Sequence, residues 1–121
     1  MKINVNEELG IKKPIEVRAT NLNMERSLQM QLDLAKAGDV AEGEDVDVIA
    51  TLQQSLDIVR KMTQFIKNIL KLSDVQSEKV DDLNQEETAM LVNRLCLRIM
   101  GNSDEEIKEL FTEPTSEAEK K

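Results

Sequence analysis

Residues 45–73 read DVDVIATLQQSLDIVRKMTQFIKNILKLS, and this stretch decides the fold because it carries most of the apolar surface of the chain. Its apolar residues recur in steps of three and four, a spacing that keeps side chains on one face of a helix. The resulting stripe consists of Val48, Leu52, Leu56, Val59, Met62, Ile66, Ile69 and Leu70. Because no Gly or Pro interrupts the pattern, it predicts one long amphipathic helix from Asp45 to Ser73.

The two halves of this predicted helix differ in how much apolar surface they carry. Val48–Val59 has a single stripe, whereas the second half adds Ile58, Phe65 and Leu72 on a neighbouring face. A helix of this length extends on the order of 40 Å, which is more than the compact core of a small chain requires. We expect the first half to pack on the preceding helix and on an N-terminal hairpin. The second half, Met62–Leu72, must be covered from two directions.

Composition and charge exclude several classes of protein. The chain has 121 residues and a net charge of −8, and it lacks the cluster of Lys and Arg that nucleic acid binding requires. Its start, Met1–Val5, turns polar at once, and no run approaches the roughly 20 apolar residues needed to cross a bilayer. These features predict a cytoplasmic protein that binds neither nucleic acid nor membrane. The lone cysteine, Cys96, falls within an apolar helical pattern and is expected to be a buried structural thiol.

The residues before the long helix predict a hairpin and a second helix. Apolar and polar residues alternate on both sides of Gly10, which predicts a short β-hairpin over residues 2–19. A helix is expected over Leu22–Ala37, with an inward stripe of Met24, Leu28, Leu32 and Ala35. Met30 and Leu34 fall on a second flank of this helix, where they would meet another element or a partner. The connector Gly38–Glu44 is small, acidic and expected to be a loop.

Three polar pairs with the spacing of a capping box mark the starts of the later helices. The pairs are Ser73 with Gln76, Asn84 with Glu87, and Ser103 with Glu106. The second pair opens the strongest of these helices, Gln85–Met100, which Gly101 closes. One broad face of that helix is apolar and consists of Ala89, Leu91, Val92, Leu95, Cys96 and Ile99. Met90 and Leu97 lie on its opposite side, seven residues apart.

The flanking short helices and the tail complete the predicted architecture. The first short helix carries Val75, Val80 and Leu83, and the last carries Ile107, Leu110 and Phe111. Residues 112–121 are acidic and nearly devoid of apolar side chains, which predicts a disordered tail after a single helical domain of residues 1–111. The predicted fold is mainly α, with four to five helices around one long central helix and a short N-terminal β-hairpin.

The residues available for chemistry argue against an enzyme. The chain contains no His, which removes the usual acid–base group at neutral pH and the commonest nitrogen ligand for metals. Its four glycines are scattered, so no phosphate-binding loop is present. The acidic residues between Glu42 and Asp47 lack the ordered spacing and the closing Glu of a calcium loop. We therefore expect no catalytic residues, no cofactor and no metal, and a role in binding other proteins.

Four segments carry a resemblance that extends from Lys2 to about Phe111. The segments are EVRATN at residues 16–21, MQLDLAK at residues 30–36, FIKNILKLSD at residues 65–74 and RIMGNSDEEI at residues 98–107. In their order and character they resemble the tail assembly chaperones of long-tailed bacteriophages, in particular those of siphophages that infect Gram-positive bacteria.

The resemblance implies a protein that acts in the host cytoplasm during tail morphogenesis. It would bind the tape-measure protein, keep its apolar helices soluble, help tail-tube subunits polymerise, and be absent from the finished virion. Many such phages also make a longer product by frameshifting, and its extra domain recruits the major tail protein of the tube. The adjacent Lys120 and Lys121 are compatible with a slippery run in the gene.

Apolar residues outside the core stripes form the predicted partner-binding set. They are Met30, Leu34, Ile58, Phe65, Met90 and Leu97. We expect them to contribute to a groove for apolar helices or to formation of a homo-oligomer, and the alternative is that they cover one another inside the monomer. A related hypothesis is that the helix Gln85–Met100 moves away from Met62–Leu72 and so exposes that surface to a client.

Other classes of function fit the composition as well. An acidic helical regulatory adaptor, such as an anti-repressor, would show the same charge and helical pattern. A stable structural component of the tail is a close relative of the chaperone hypothesis, and a small enzyme is the weakest alternative. The gene neighbourhood separates the chaperone from the adaptor, because a tail chaperone gene should lie between the genes of the major tail protein and the tape-measure protein.

Overall fold

Two short strands and six helices follow one another along residues 1–41 and 47–109, the part of the chain that the computed structural model describes. In chain order they are β1 Lys2–Ile3, α1 Asn6–Leu9, β2 Ile15–Glu16, α2 Asn21–Ala41, α3 Val48–Leu70, α4 Asp74–Asp81, α5 Gln85–Ile99 and α6 at residues 104–109. The predicted class, mainly α with a small N-terminal hairpin, is confirmed. Nothing in the described residues forms a helix long and apolar enough to cross a membrane.

Helix α3 is the long central helix, and local interactions set both of its ends. The Asp47 carboxylate accepts a hydrogen bond from the Ile49 amide at 3.0 Å, which caps the N-terminus. At the other end Lys71 adopts a left-handed conformation with φ 51°, and its amide closes the last turn on the Lys67 carbonyl. The helix is therefore shorter than the predicted Asp45–Ser73, whose first two residues lie outside the described part.

The second half of α3 is buried by helices on two sides, as predicted. Its buried residues are Met62, Phe65, Ile66, Ile69 and Leu70. Helix α2 packs along one side of this half, while α4 and α5 pack along the other, and α2 also contacts α5. The predicted cover by the helix that begins at Gln85 is confirmed. The core formed here also takes up Ile3, Val5, Leu9 and Val17 from the N-terminal segment.

The first half of α3 does not pack as predicted. Val48 is 69% exposed, Leu52 64% and Leu56 50%, so the expected packing of these residues on α2 and the hairpin is wrong. Helix α2 instead lies beside a different face of this half, at Gln54 and Ile58. The end of α4 and the start of α5 border the same small groove as Val59 and Thr63. The helices that cover this face of α3 therefore reach only to Val59, and the same face continues beyond them for about three turns.

Helix α2 is rotated relative to the prediction. Its inward positions are Asn23, Ser27, Met30 and Leu34. Of the predicted stripe, Met24 packs against the core as expected, whereas Leu28, Leu32 and Ala35 are exposed. Ser27 is 0% exposed, its hydroxyl donates to the Asn23 carbonyl at 2.9 Å, and its own carbonyl faces the Cys96 sulfur at 3.7 Å. A small residue lets two helix backbones approach closely, so Ser27 rather than Leu28 faces α5. Helix α2 also continues through Ala41, past the predicted loop start at Gly38.

The N-terminal hairpin is confirmed, and its connection contains a helix that the alternation did not predict. Strands β1 and β2 are antiparallel, with Lys2 opposite Glu16 and Ile3 opposite Ile15. Between them α1 ends at Gly10, whose φ of 67° suits a residue without a Cβ. Helix α1 contacts α4, so the hairpin lies on the helical body as expected.

The three predicted capping boxes are all present at the starts of α4, α5 and α6. In each, the polar side chain at the cap accepts from an amide three residues on, and the Gln or Glu there accepts from the amide of the cap residue. The inward face of α5 also agrees with the prediction, since Leu91, Val92, Leu95 and Ile99 are buried. Leu110, Phe111 and the predicted tail, residues 112–121, lie outside the described residues, so the domain boundary at 111 stays a prediction.

Candidate protein-binding surface

Most of the large apolar side chains that the described residues expose lie on α2 and α3. On α2 they are Leu22, Leu28 and Leu32, and on α3 they are Val48, Ile49, Leu52 and Leu56. Single exposed apolar residues are normal on a protein surface, whereas contiguous apolar surface marks sites that bind other proteins. These two helices therefore carry the candidate site, which consists of a groove and a separate stripe.

The groove runs between α2 and the second half of α3 and has a volume of about 700 Å³. Its apolar lining consists of Leu22, Leu28, Met30 and Leu32 of α2 and Phe65 of α3. We call this set the α2–α3 groove. Met30 is 3% exposed and Phe65 5%, so they form a floor that belongs to the core, while the three leucines are about half exposed. The groove thus offers apolar surface that nothing in the described residues covers.

Polar and charged side chains also line the α2–α3 groove. They are Glu25, Arg26, Gln29 and Asp33 on α2 and Lys61, Gln64 and Asn68 on α3. The Lys61 ammonium lies 3.0 Å from the Asp57 carboxylate and 3.7 Å from that of Asp33, which links the two antiparallel helices. The groove therefore combines apolar with polar and charged side chains, as protein-binding surfaces do.

The second surface is on the first half of α3, and we call it the α3 stripe: Val48, Ile49, Leu52 and Leu56. The segment that carries it, VIATLQQSL at residues 48–56, contains no charged residue, although 33% of the chain is charged. Every residue of that segment except Thr51 is exposed. The stripe continues, along the helix axis, the face that α4 and α5 cover further on. Exposed, uncharged and apolar positions are typical of an interface.

A third groove, around Met90, is dominated by paired charges. It lies between the N-terminal segment, α5 and α6 and is lined by Met90, Leu91, Arg94, Asp104 and Ile107 among others. Arg94 Nε donates to Asp104 Oδ1 at 3.0 Å, and its Nη1 pairs with Glu8. Arg98 Nη1 lies 2.7 Å from Asp104 Oδ2. These pairs join three elements of the fold, so we assign this cluster a structural role.

The structure distributes the six predicted partner-binding residues over several places. Met30 and Phe65 come together in the floor of the α2–α3 groove. Leu34 and Ile58 are partly buried and pack against the core, and Leu97 is partly buried as well. Met90 is exposed in the separate groove beside α6. The six therefore do not form one surface, and their role in partner binding stays a prediction.

The sequence pattern missed the leucines of α2 and the α3 stripe because it assigned both to the core. Periodicity shows that a face is apolar but not whether another element covers it. One signal in the sequence did point to the α3 stripe, namely the absence of any charge from Val48 to Leu56. No comparable signal distinguishes Leu28 from Met30 on α2.

Metal-ligand clusters and the single thiol were the remaining candidates for chemistry in the described residues. These residues contain no group of three or more Cys, Asp or Glu side chains placed to hold a metal ion. Burial raises the pKa of the Cys96 thiol to about 11, against a smaller lowering by hydrogen bonds with Gln31 and Ser27. Cys96 is thus a protonated structural thiol at neutral pH, as predicted for a buried cysteine.

Comparison with known proteins identifies the family of the chain. No curated protein and no solved structure matches it. A family model described as phage tail assembly chaperone proteins, TAC, matches residues 1–118, nearly the whole chain. The match confirms the resemblance to phage tail assembly chaperones. The chain therefore belongs to the family of phage tail assembly chaperones.

Proposed function

We propose that this tail assembly chaperone binds an amphipathic helix of the tape-measure protein in the α2–α3 groove and keeps that helix soluble until the tail tube assembles. The observation that carries the proposal is a groove lined by the exposed Leu22, Leu28 and Leu32 together with the buried Met30 and Phe65. Helix-binding proteins commonly take up the apolar face of a client in such a groove.

The dimensions and the composition of the groove fit a short helical segment. From Leu22 to Leu32 the groove follows α2 for roughly 15 Å, which corresponds to about three turns of a client helix. Anchors at steps of three and four residues on the client would lie along this length. Met30 in the floor is flexible and polarisable, so the floor can adapt to different apolar side chains. The lining carries both signs of charge, through Glu25, Arg26 and Lys61, and can pair with the polar side of a client.

The net charge of the chain supports the solubilising part of the proposal. A chaperone of charge −8 adds negative charge to any complex it forms. Complexes of like charge repel one another and so resist aggregation. We propose that this takes place in the host cytoplasm and involves no catalysis. Family membership favours this role over the regulatory adaptor. A siphophage of Gram-positive bacteria as the source, recruitment of the major tail protein by a longer product, and absence from the virion stay predictions.

Client binding in the α2–α3 groove requires no displacement of α5. The groove is open while Leu91, Val92 and Leu95 of α5 are buried against the core. Moving α5 away would expose these residues to water at a cost of about 25 cal/mol for each Å² of apolar surface. The hypothesis that α5 moves is therefore separate, and a cross-link between α3 and α5 tests it. Binding that survives the cross-link supports the open groove.

The test of the groove is co-expression with fragments of the tape-measure protein encoded beside this gene. The double variant with Leu28→Asp and Leu32→Asp should reduce co-purification of the fragment about tenfold or more, because two carboxylates would be buried against an apolar client. Val75→Asp is the matched control, since Val75 is exposed on α4, outside both surfaces. Thermal unfolding verifies that all variants fold. If the double variant keeps the fragment soluble as well as the parent does, the groove is not the site.

A further inference from the structure

The α3 stripe is a surface that the proposed client groove does not use. Its residues project from a different face of α3 than Lys61, Gln64 and Asn68, which line the groove. Val48, Leu52 and Leu56 follow one another at steps of four, and Ile49 lies beside them. The helix is amphipathic there, yet no described residue covers its apolar side, because α4 ends and α5 begins at the level of Val59.

The distribution of charge on the chain indicates which kind of partner can cover this stripe. A positively charged partner would gain most from the acidic surface elsewhere on the chain, whereas the stripe segment offers it no carboxylate. A second copy of the chain is repelled by this acidic surface, because both molecules carry a charge of −8. Two copies can approach most closely where neither carries a charge, and residues 48–56 are such a segment, bounded by Asp47 and by Asp57, whose carboxylate is paired with Lys61.

The spacing of the stripe is also self-complementary. Val48 and Leu56 lie four residues on either side of Leu52. When two such helices pair antiparallel about a two-fold axis at Leu52, Val48 of each copy lies opposite Leu56 of the other. This is an isologous contact, in which the same patch serves both partners and association closes at a dimer.

We propose that two copies of the chain pair through the α3 stripe as an antiparallel, two-fold symmetric dimer. The contact segment of nine residues is only about 13 Å long. Four side chains on this length bury less than the roughly 800 Å² per partner of a standard stable interface. The dimer is therefore reversible and forms as the protein concentration rises. Because the α2–α3 groove lies on another face, each copy keeps its groove open.

Sedimentation velocity over a range from about 1 µM to 1 mM tests the pairing. The parent should shift from monomer towards dimer across this range, and Leu52→Asp should remain monomeric because it sets two carboxylates together at the two-fold axis. Gln53→Asp is the matched control: it adds the same charge at the next residue, which is exposed outside the stripe, and should behave as the parent. A parent that stays monomeric throughout, or a Leu52→Asp variant that dimerises equally, overturns the proposal.

Cross-linking tests the antiparallel geometry. In a Cys96→Ala background, Leu52→Cys should form a disulfide-linked dimer on mild oxidation with oxidised glutathione, and Gln53→Cys should not. Preferential cross-linking of Val48→Cys with itself would mean a parallel pair and would overturn the two-fold arrangement.

The same variants separate this proposal from client binding. The Leu28→Asp and Leu32→Asp double variant should still dimerise, and Leu52→Asp should still retain the tape-measure fragment. If the parent is monomeric and Leu52→Asp loses the fragment, the stripe binds the client and the dimer is refuted.

Discussion

Arg94 connects three elements of the fold through two carboxylates. It pairs with Glu8 of α1 and with Asp104 of α6, while Arg98 of the same helix also reaches Asp104. Partial burial alone would raise the pKa of Asp104, but hydrogen bonds and charge from the two arginines outweigh it and hold that pKa below its ordinary value. These ion pairs attach α6 to the helical body.

Replacing Asp104 by Asn should lower the free energy of unfolding at pH 7 by about 1 kcal/mol or less, because the carboxylate is 46% exposed and its ion pairs are screened by water. The folded-state pKa is depressed, so this stabilisation is present above the unfolded-state value of about 3.9 and is lost as pH falls through the lower folded-state pKa. Urea unfolding of parent and variant should therefore differ at pH 7 and converge near pH 2. The neighbouring Glu105→Gln, at an exposed position, is the control. An equal difference at both pH values would contradict the assigned role.

At the scale of single elements, the helix starts are determined by bonds that span three residues. The Asn84 side chain accepts from the Glu87 amide at 2.8 Å, and the Glu87 carboxylate accepts from the Asn84 amide at 3.0 Å. Such a reciprocal pair satisfies two amides that the first turn of a helix leaves without partners. It also fixes where α5 begins. The start of α5 in turn limits how far along α3 the covering helices reach.

Asn84→Ala should lower the free energy of unfolding by about 1 kcal/mol, because it removes the cap of α5. The control is Gln85→Ala, one residue further on, where the side chain is exposed and takes no part in the capping box. The midpoints of urea unfolding give both values. Equal midpoints for the two variants would mean that the cap does not stabilise α5.

At the scale of the whole molecule, the two halves of α3 lie in different environments. Its second half lies beneath α2, α4 and α5, and its first half carries exposed side chains. An isolated helix of that length is marginal in water, so tertiary contacts provide most of its stability. The free energy of local opening should therefore fall along α3 from its C-terminal half to its N-terminal half.

Hydrogen exchange should reveal this gradient. Below about 1 µM, where the proposed dimer dissociates, the amides of Leu52–Leu56 should exchange at least tenfold faster than those of Ile66–Leu70. Both segments lie beyond the first turn of the helix, so all of their amides donate hydrogen bonds within the helix. The difference in exchange rate therefore reports how well other helices cover each segment. Equal protection of the two segments would show that the first half is stabilised in some other way.

Several features of the chain follow from its sequence alone because they depend on neighbours a few residues apart. These are the long central helix, the capping boxes of α4, α5 and α6, the apolar face of α5 and the two strands of the hairpin. Family membership also belongs here, since it rests on the order of such segments. For the candidate groove, the sequence predicted only that Met30 and Phe65 lie outside the main apolar stripes of their helices.

The tertiary structure alone decided which apolar faces are covered. Ser27 permits a close approach of α2 to α5, which turns Met30 inward and Leu28 and Leu32 outward. The turn between α4 and α5 lies beside Val59, so the described residues leave the α3 stripe uncovered. Both outcomes depend on distances between helix backbones and on where other helices end. The periodicity of one helix contains neither quantity, so it identifies an apolar face without showing whether that face meets the core, a client or a second copy.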